Sequence, residues 1–189
     1  KGKKKNYAEW KVVPLDHSQV SIFFPAEKEV SNLKFHLHAP FASTAARDSV
    51  RDCKENTQLR DHISKLVVES LFLIRDKDML TMDFLEVLPC KEDSVTKFYR
   101  PISEAIVNAF QRKKLTPTIS GSYAPAAGLF KGPANISKVL NDNDLVLLTQ
   151  LTPNNPPMWV VNPSGRRARS FLNCLKMTPW GWSELVNSI

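Results

Sequence analysis

"HAPFASTAARDSVRDCKENTQL", residues 38–59, marks the handover from an extended segment to a long helix. A β-like run ends at Phe41, small hydroxyl and methyl residues follow, and a helical pattern then carries on to residue 76. Leu59, Ile63, Leu66, Val67, Ser70, Leu71 and Ile74 recur at three- and four-residue intervals, which predicts one apolar stripe on a helix over 44–76. Ser43 or Thr44 is the expected N-cap, since a short hydroxyl accepts from free backbone N–H groups. "CKENTQ" is less periodic, so a break near Asn56 is expected. This reading puts Arg47, Asp48 and Arg51 in the first turns, where the helix dipole disfavours positive charge.

Upstream, "WKVVPL" (10–15), "QVSIFFP" (19–25) and "LKFHLHAPF" (33–41) are β-branched or aromatic runs separated by polar turns. The second and third are expected to pair antiparallel. "FHLHA" alternates, with Phe35, Leu37 and Ala39 on one side and His36 and His38 on the other. Downstream, "MDFLEVL" predicts a short helix, and "PISEAIVNAFQRKK" (101–114) a second amphipathic helix with Pro101 near its first turn. The Pro/Gly/Ser-rich stretch 115–133 reads as an ordered loop or hairpin around "GSY". Helical pieces follow at 134–151, a Pro-rich break at 152–157 and a short strand at "MWVV". Two closing helices come last, the second with Thr178 as cap and Pro179 at its first position. The fold class is therefore α/β of the α+β kind. Antiparallel strands pack on a long helix in residues 1–76, and a mainly helical unit with Pro/Gly-rich loops fills 77–189.

Composition sets the outer limits. The 189 residues are 42% hydrophobic and 24% charged, as in globular proteins. The longest apolar run, 66–74, is interrupted by Glu69 and Ser70, and none reaches the roughly 18–20 residues a bilayer span requires. Cys53, Cys90 and Cys174 are widely spaced with no C-x-x-C pair, which fits thiols in a reducing cytoplasm. No secretory signal is visible, and a chain that begins with Lys reads as a piece of a longer protein. The formal charge of +7 is concentrated in "KGKKK" at the start and "GRRAR" at 165–169. Such clusters are either solvated surface or contacts to nucleic acid or, for the basic tail, anionic lipid.

For Arg47 two readings are open. Its charge and fork geometry suit a phosphate, which would relieve the cationic helix start. Alternatively, Arg47 and Arg51 are surface arginines compensated by Asp48 and Asp52. Other constellations are weaker. His36 and His38 could bind a metal with His17 or His62, but no carboxylate or cysteine joins them at ligand spacing, and no metal site is expected. Ser43 or Ser49 with His62 lacks a nucleophile-elbow motif. Trp10, Trp159, Trp180 and Trp182 read as core or contact residues. Six glycines, scattered along the chain, cannot build a phosphate-binding loop, and there is no P-loop motif.

The segment from 20 to 125 resembles the middle, transducer region of sacsin-like ATPases of the heat-shock-chaperone type, in the GHKL superfamily. The residues that carry the resemblance are Phe23, Phe24 and Pro25, then Phe35 to Phe41, then Arg47, Asp48, Ser49, Val50, Asn56 and Leu59. It is also similar to the middle domain of the ninety-kilodalton heat-shock chaperones, in which a strand runs through an arginine-bearing turn into a long helix. The resemblance implies that Arg47 reaches the terminal phosphate of ATP held, with Mg2+, in an upstream nucleotide-binding domain. It further implies that Arg51 is a second anion contact, and that Ser43 and Thr44 shape the turn beside the cofactor. Thr44 stands where that family has a turn asparagine, and the spacing after Pro40 is one residue longer. The isolated chain is expected to bind no ATP of its own. Implied partners are the upstream domain and protein clients. The competing reading is a non-catalytic interaction module that uses the basic clusters on nucleic acid.

Overall fold

The computed structural model describes residues 12–149 and 156–188. The basic stretch 1–5, Trp10 and most of the Pro-rich break at 152–157 lie outside the described residues. The chain is an α+β fold in which two helices, α1 (Lys54–Asp76) and α2 (Arg100–Arg112), pack against each other.

Helix α1 starts ten residues later than its pattern predicts. Residues 42–51 instead form a hairpin. Ser43 bridges Val50 antiparallel, the Thr44 N–H donates to the Ser49 carbonyl at 3.0 Å, and the Arg51 N–H donates to the Ala42 carbonyl at 2.9 Å. The cause is local chemistry: Thr44, Asp48 and Ser49 satisfy one another's side chains and so compete with helix formation. The N-cap is therefore Cys53, in extended conformation and with no side-chain cap bond, and not Ser43 or Thr44. The stripe on α1 is centred on Asn56, Ile63, Val67, Leu71 and Ile74. Leu66, expected on it, is 61% exposed, because at 100° per residue it lies about 90° from the stripe's centre. In α2, Ile102, Ile106, Ala109 and Phe110 are buried as the periodicity predicts.

Strands β1 (Val20–Ser21) and β2 (Leu37–His38) pair in parallel, not antiparallel. The chain doubles back at once after β1: Ser21 bridges Pro25, and the Ala26 N–H returns to the Val20 carbonyl. That turn occupies the hairpin partner's place, so the later run enters alongside in the same direction. The alternation of "FHLHA" holds, with Leu37 and Ala39 buried and His36 and His38 exposed.

The second half is mainly helical among the described residues, and it also carries short strands. β3 (Thr116–Pro117) and β4 (Tyr123–Ala124) form the hairpin expected around "GSY", with Gly121 at φ 80 in its turn. β5 (Leu129–Lys131) is the centre of a parallel sheet, flanked by β6 (Met158–Trp159) and β7 (Thr178–Pro179). Thr178 and Pro179 are thus strand residues and do not open α6 (Trp182–Ser188). Short helices α3 (Ala134–Ser137), α4 (Asp142–Thr149) and α5 (Arg166–Asn173) connect these strands. The main core draws on Val20, Leu37, Leu71, Tyr99, Phe110 and Phe171, and so on both sides of the 77–100 segment. Trp159 and Trp180 meet edge-to-face at 5.6 Å in a smaller cluster with Phe130, Ile136 and Leu145.

Candidate functional site

The hairpin 42–51 is mounted on α1 by Asn56, a buried residue in the third helical position. Its amide nitrogen donates to the carbonyls of Ala42 (2.8 Å) and Arg51 (2.7 Å), and its oxygen accepts from the Ala42 N–H (2.8 Å). Both legs of the hairpin are thereby tied to one side chain. The opposite flank is held by the segment after the "FFP" turn. The Glu29 carboxylate accepts the Val50 N–H at 2.7 Å, and the Lys28 N–H donates to the Asp48 carbonyl at 2.8 Å.

Asp48 is the electrostatic pivot. Its carboxylate accepts from the Thr44 and Ser49 hydroxyls, both at 3.1 Å, and pairs with the Lys28 ammonium at 2.7 Å. The Lys28 hydrogen bond, aided by the two hydroxyls, holds this carboxyl below its ordinary range. Asp48 therefore does not compensate Arg47. At the tip, the Arg47 N–H closes the turn on the Thr44 carbonyl at 3.0 Å, and the residue adopts φ 60. Its side chain is exposed and makes no hydrogen bond or ion pair among the described residues. A non-glycine residue in the left-handed region is strained by roughly 1 kcal/mol. Arg47→Gly is accordingly expected to raise unfolding stability by up to about 1 kcal/mol in urea titration, although it removes an arginine. A loss of stability would mean that the strain relieved at this turn is smaller than the backbone entropy glycine adds to the unfolded chain.

The other expected site residues fall as follows. Ser43 is in the ladder opposite Val50, and the Thr44 hydroxyl points inward to Asp48 and Ser49. Arg51 lies at the hairpin's base and lines a cleft of about 410 Å³ with Glu29, Asp52, Arg60 and Lys97, in which Arg47 has no part. Arg60 in that cleft rests on the Phe98 ring, 5.3 Å from its centroid. His36 accepts the Gln19 N–H through Nδ1 at 2.9 Å, and among the described residues no group of three or more His, Cys, Asp or Glu could hold a metal. The Ser49 hydroxyl is taken up by Asp48 and Thr44, with no histidine among its partners.

"GRRAR" is not simply a solvated cluster. Arg167 turns inward to Asp93, whose side chain is 2% exposed, and contacts both carboxylate oxygens. It also donates to the carbonyls of Glu86 (2.8 Å) and Leu88 (3.2 Å). That removes one of its three arginines from any nucleic-acid contact. Nearby, Glu92 accepts from the Ser170 hydroxyl, which lowers its carboxyl to about 2. Burial pushes the Cys90 thiol up to about 11, so it stays protonated and unreactive. Sequence reasoning missed Asn56 and Lys28 as the supports of the hairpin. The signal for the first was present, in a polar residue placed on the buried stripe of α1.

Among the described residues no helix is long and apolar enough to cross a membrane. Comparison with protein-family models, with curated proteins and with solved structures gives no match.

Proposed function

We propose that this chain is the middle, transducer-like segment of a chaperone-type ATPase. In this reading Arg47 is presented to the terminal phosphate of ATP and Mg2+ held by a separate nucleotide-binding domain of the same polypeptide. ATP state would then be coupled through the hairpin and α1 to movement of bound protein clients. The observation that carries the reading is the guanidinium of Arg47, without a hydrogen bond or ion pair among the described residues, on a turn braced from two sides. A cation without an ionic partner can meet a phosphate without first breaking a salt bridge. A rigid mount also limits the entropy lost when it does so. Such a cation acts most strongly when charge spreads over the phosphoryl oxygens in the transition state. The three free cysteines support placing the protein in the reducing cytoplasm.

The test is ATP turnover by the polypeptide that carries this segment behind its nucleotide domain. Arg47→Ala is expected to lower kcat about tenfold or more and to leave KM for ATP within about threefold, the signature of an interaction made chiefly in the transition state. Unchanged turnover removes the proposal. Salt-sensitive binding of RNA or DNA by the isolated chain, lost on neutralising Arg166 and Arg169, would favour an interaction module instead.

A further inference from the structure

A second recess lies far along the chain from the hairpin, at the carboxyl ends of β5 and β6. It has a volume of about 310 Å³. Lys131, the last residue of β5, and Arg169 on α5 are its cations. Asn162 and Asn173 contribute carboxamides, and Val161 and Leu172 apolar walls. No carboxylate belongs to its described lining. Lys131 is half-buried, and among the described residues its ammonium meets only the neutral side-chain oxygen of Asn173. Desolvation lowers its pKa accordingly. Arg169 is exposed and among the described residues reaches only the Gly165 carbonyl, at a long 3.4 Å.

A cation withdrawn from water without an ionic partner is unfavourable, and an anion that enters beside it recovers much of that energy. The place is apt as well: in open parallel sheets, ligands collect outside the carboxyl ends of the strands. The volume is at the small end of the roughly 300–1,000 Å³ usual for ligand sites, so it suits a single-ring molecule. We propose that this recess binds a small organic oxyanion, a carboxylate or phosphate monoester on a compact apolar body. Lys131 and Arg169 hold the oxyanion, the carboxamides orient it, and Val161 and Leu172 cover the body. This site is independent of the Arg47 reading and stands or falls separately.

The experiment is a two-dimensional amide NMR titration of the 189-residue chain with sodium benzoate and, separately, with phenyl phosphate at constant ionic strength. Saturable shifts are expected at Lys131, Ala134, Val161, Asn162, Leu172 and Asn173 with at least one probe. The probe that saturates identifies the oxyanion as carboxylate or phosphate. Arg169→Gln, which removes an exposed side chain, and Lys131→Met are each expected to weaken binding about tenfold, the effect of losing one charge-assisted contact. Lys114→Gln, outside the recess, should leave it unchanged. Shifts that stay linear for both probes, spread equally over exposed lysines, or persist undiminished in Arg169→Gln overturn the proposal. Arg169→Gln decides the matter even if Lys131→Met fails to fold.

Discussion

Arg167→Met is expected to destabilise the fold by about 3–5 kcal/mol, because it leaves a buried carboxylate without its cation. Asp93 is 2% exposed in its side chain, and without the guanidinium its remaining support is the Cys90 N–H at 2.9 Å and a weak thiol contact. Arg167 also satisfies two backbone carbonyls, at Glu86 and Leu88. Its loss therefore opens the junction between α5 and the 84–94 segment, joined across 74 residues of sequence. Gly165 packs in the same junction, where a side chain would collide with the Glu86 carboxylate. Urea unfolding of Arg167→Met, Asp93→Leu and the double variant measures the effect. The double variant is expected to recover much of the loss, since an apolar pair can replace a buried ion pair at little cost. A single variant within about 0.5 kcal/mol of wild type would show that the junction is wet and the pair exposed.

The same pair carries a pH signature. Burial raises the Asp93 carboxyl, but the Arg167 hydrogen bonds, the Cys90 N–H and the guanidinium charge outweigh it, so the folded value is below the unfolded one. The stabilisation is therefore complete above the unfolded carboxylate pKa of about 3.9 and drains away as pH falls through the lower folded value. In Arg167→Met the balance reverses: desolvation then dominates, the folded carboxyl titrates above the unfolded one, and its protonation in acid restores stability instead of draining it. Unfolding midpoints measured across the acid range for the two proteins should therefore converge as pH falls; a gap that widens in acid would contradict a buried Asp93 carboxylate in the variant.

What was legible in the sequence was local. The 3.6-residue periodicity of α1 and α2 and the "GSY" hairpin could be read directly, because neighbours along the chain set them. What depended on distant partners could not. The parallel pairing of β1 with β2 follows from a turn that consumes the hairpin partner, and the strand role of Thr178–Pro179 follows from β5, some 50 residues earlier in the chain. The late start of α1 was a contest between helix propensity and the Thr44–Asp48–Ser49 network, and the network won. Arg47 could be singled out by position, but its lack of an ionic partner among the described residues rests on Lys28 having taken Asp48. The pairing of Arg167 and the isolation of Lys131 are likewise hidden in a charge count, which treats every cation alike.

Asn56→Ala is expected to destabilise by about 3 kcal/mol and to separate the two roles of the hairpin. The asparagine is 1% exposed and makes three hydrogen bonds to backbone groups of Ala42 and Arg51. Truncation leaves those partners unsatisfied or exposed to entering water, at roughly 1 kcal/mol or more each. Asn56→Asp should be at least as damaging, since it turns two donated bonds into a carboxylate facing two carbonyls. Hydrogen exchange should quicken at the Ala42 amide, which loses its acceptor, and at the Arg51 amide as the ladder loosens, while α2 amides are unaffected in a locally opened state. Arg47 itself is untouched by the change, so on the proposed reading Asn56 is a positioning residue. On the proposed transducer reading, Asn56→Ala in a polypeptide that carries this segment behind a nucleotide domain is expected to lower kcat for ATP with little change in KM, because a guanidinium on a loosened mount is present but no longer aimed. Quickened exchange with full turnover would show that the mount is structural only, and that Arg47 acts, if at all, without it.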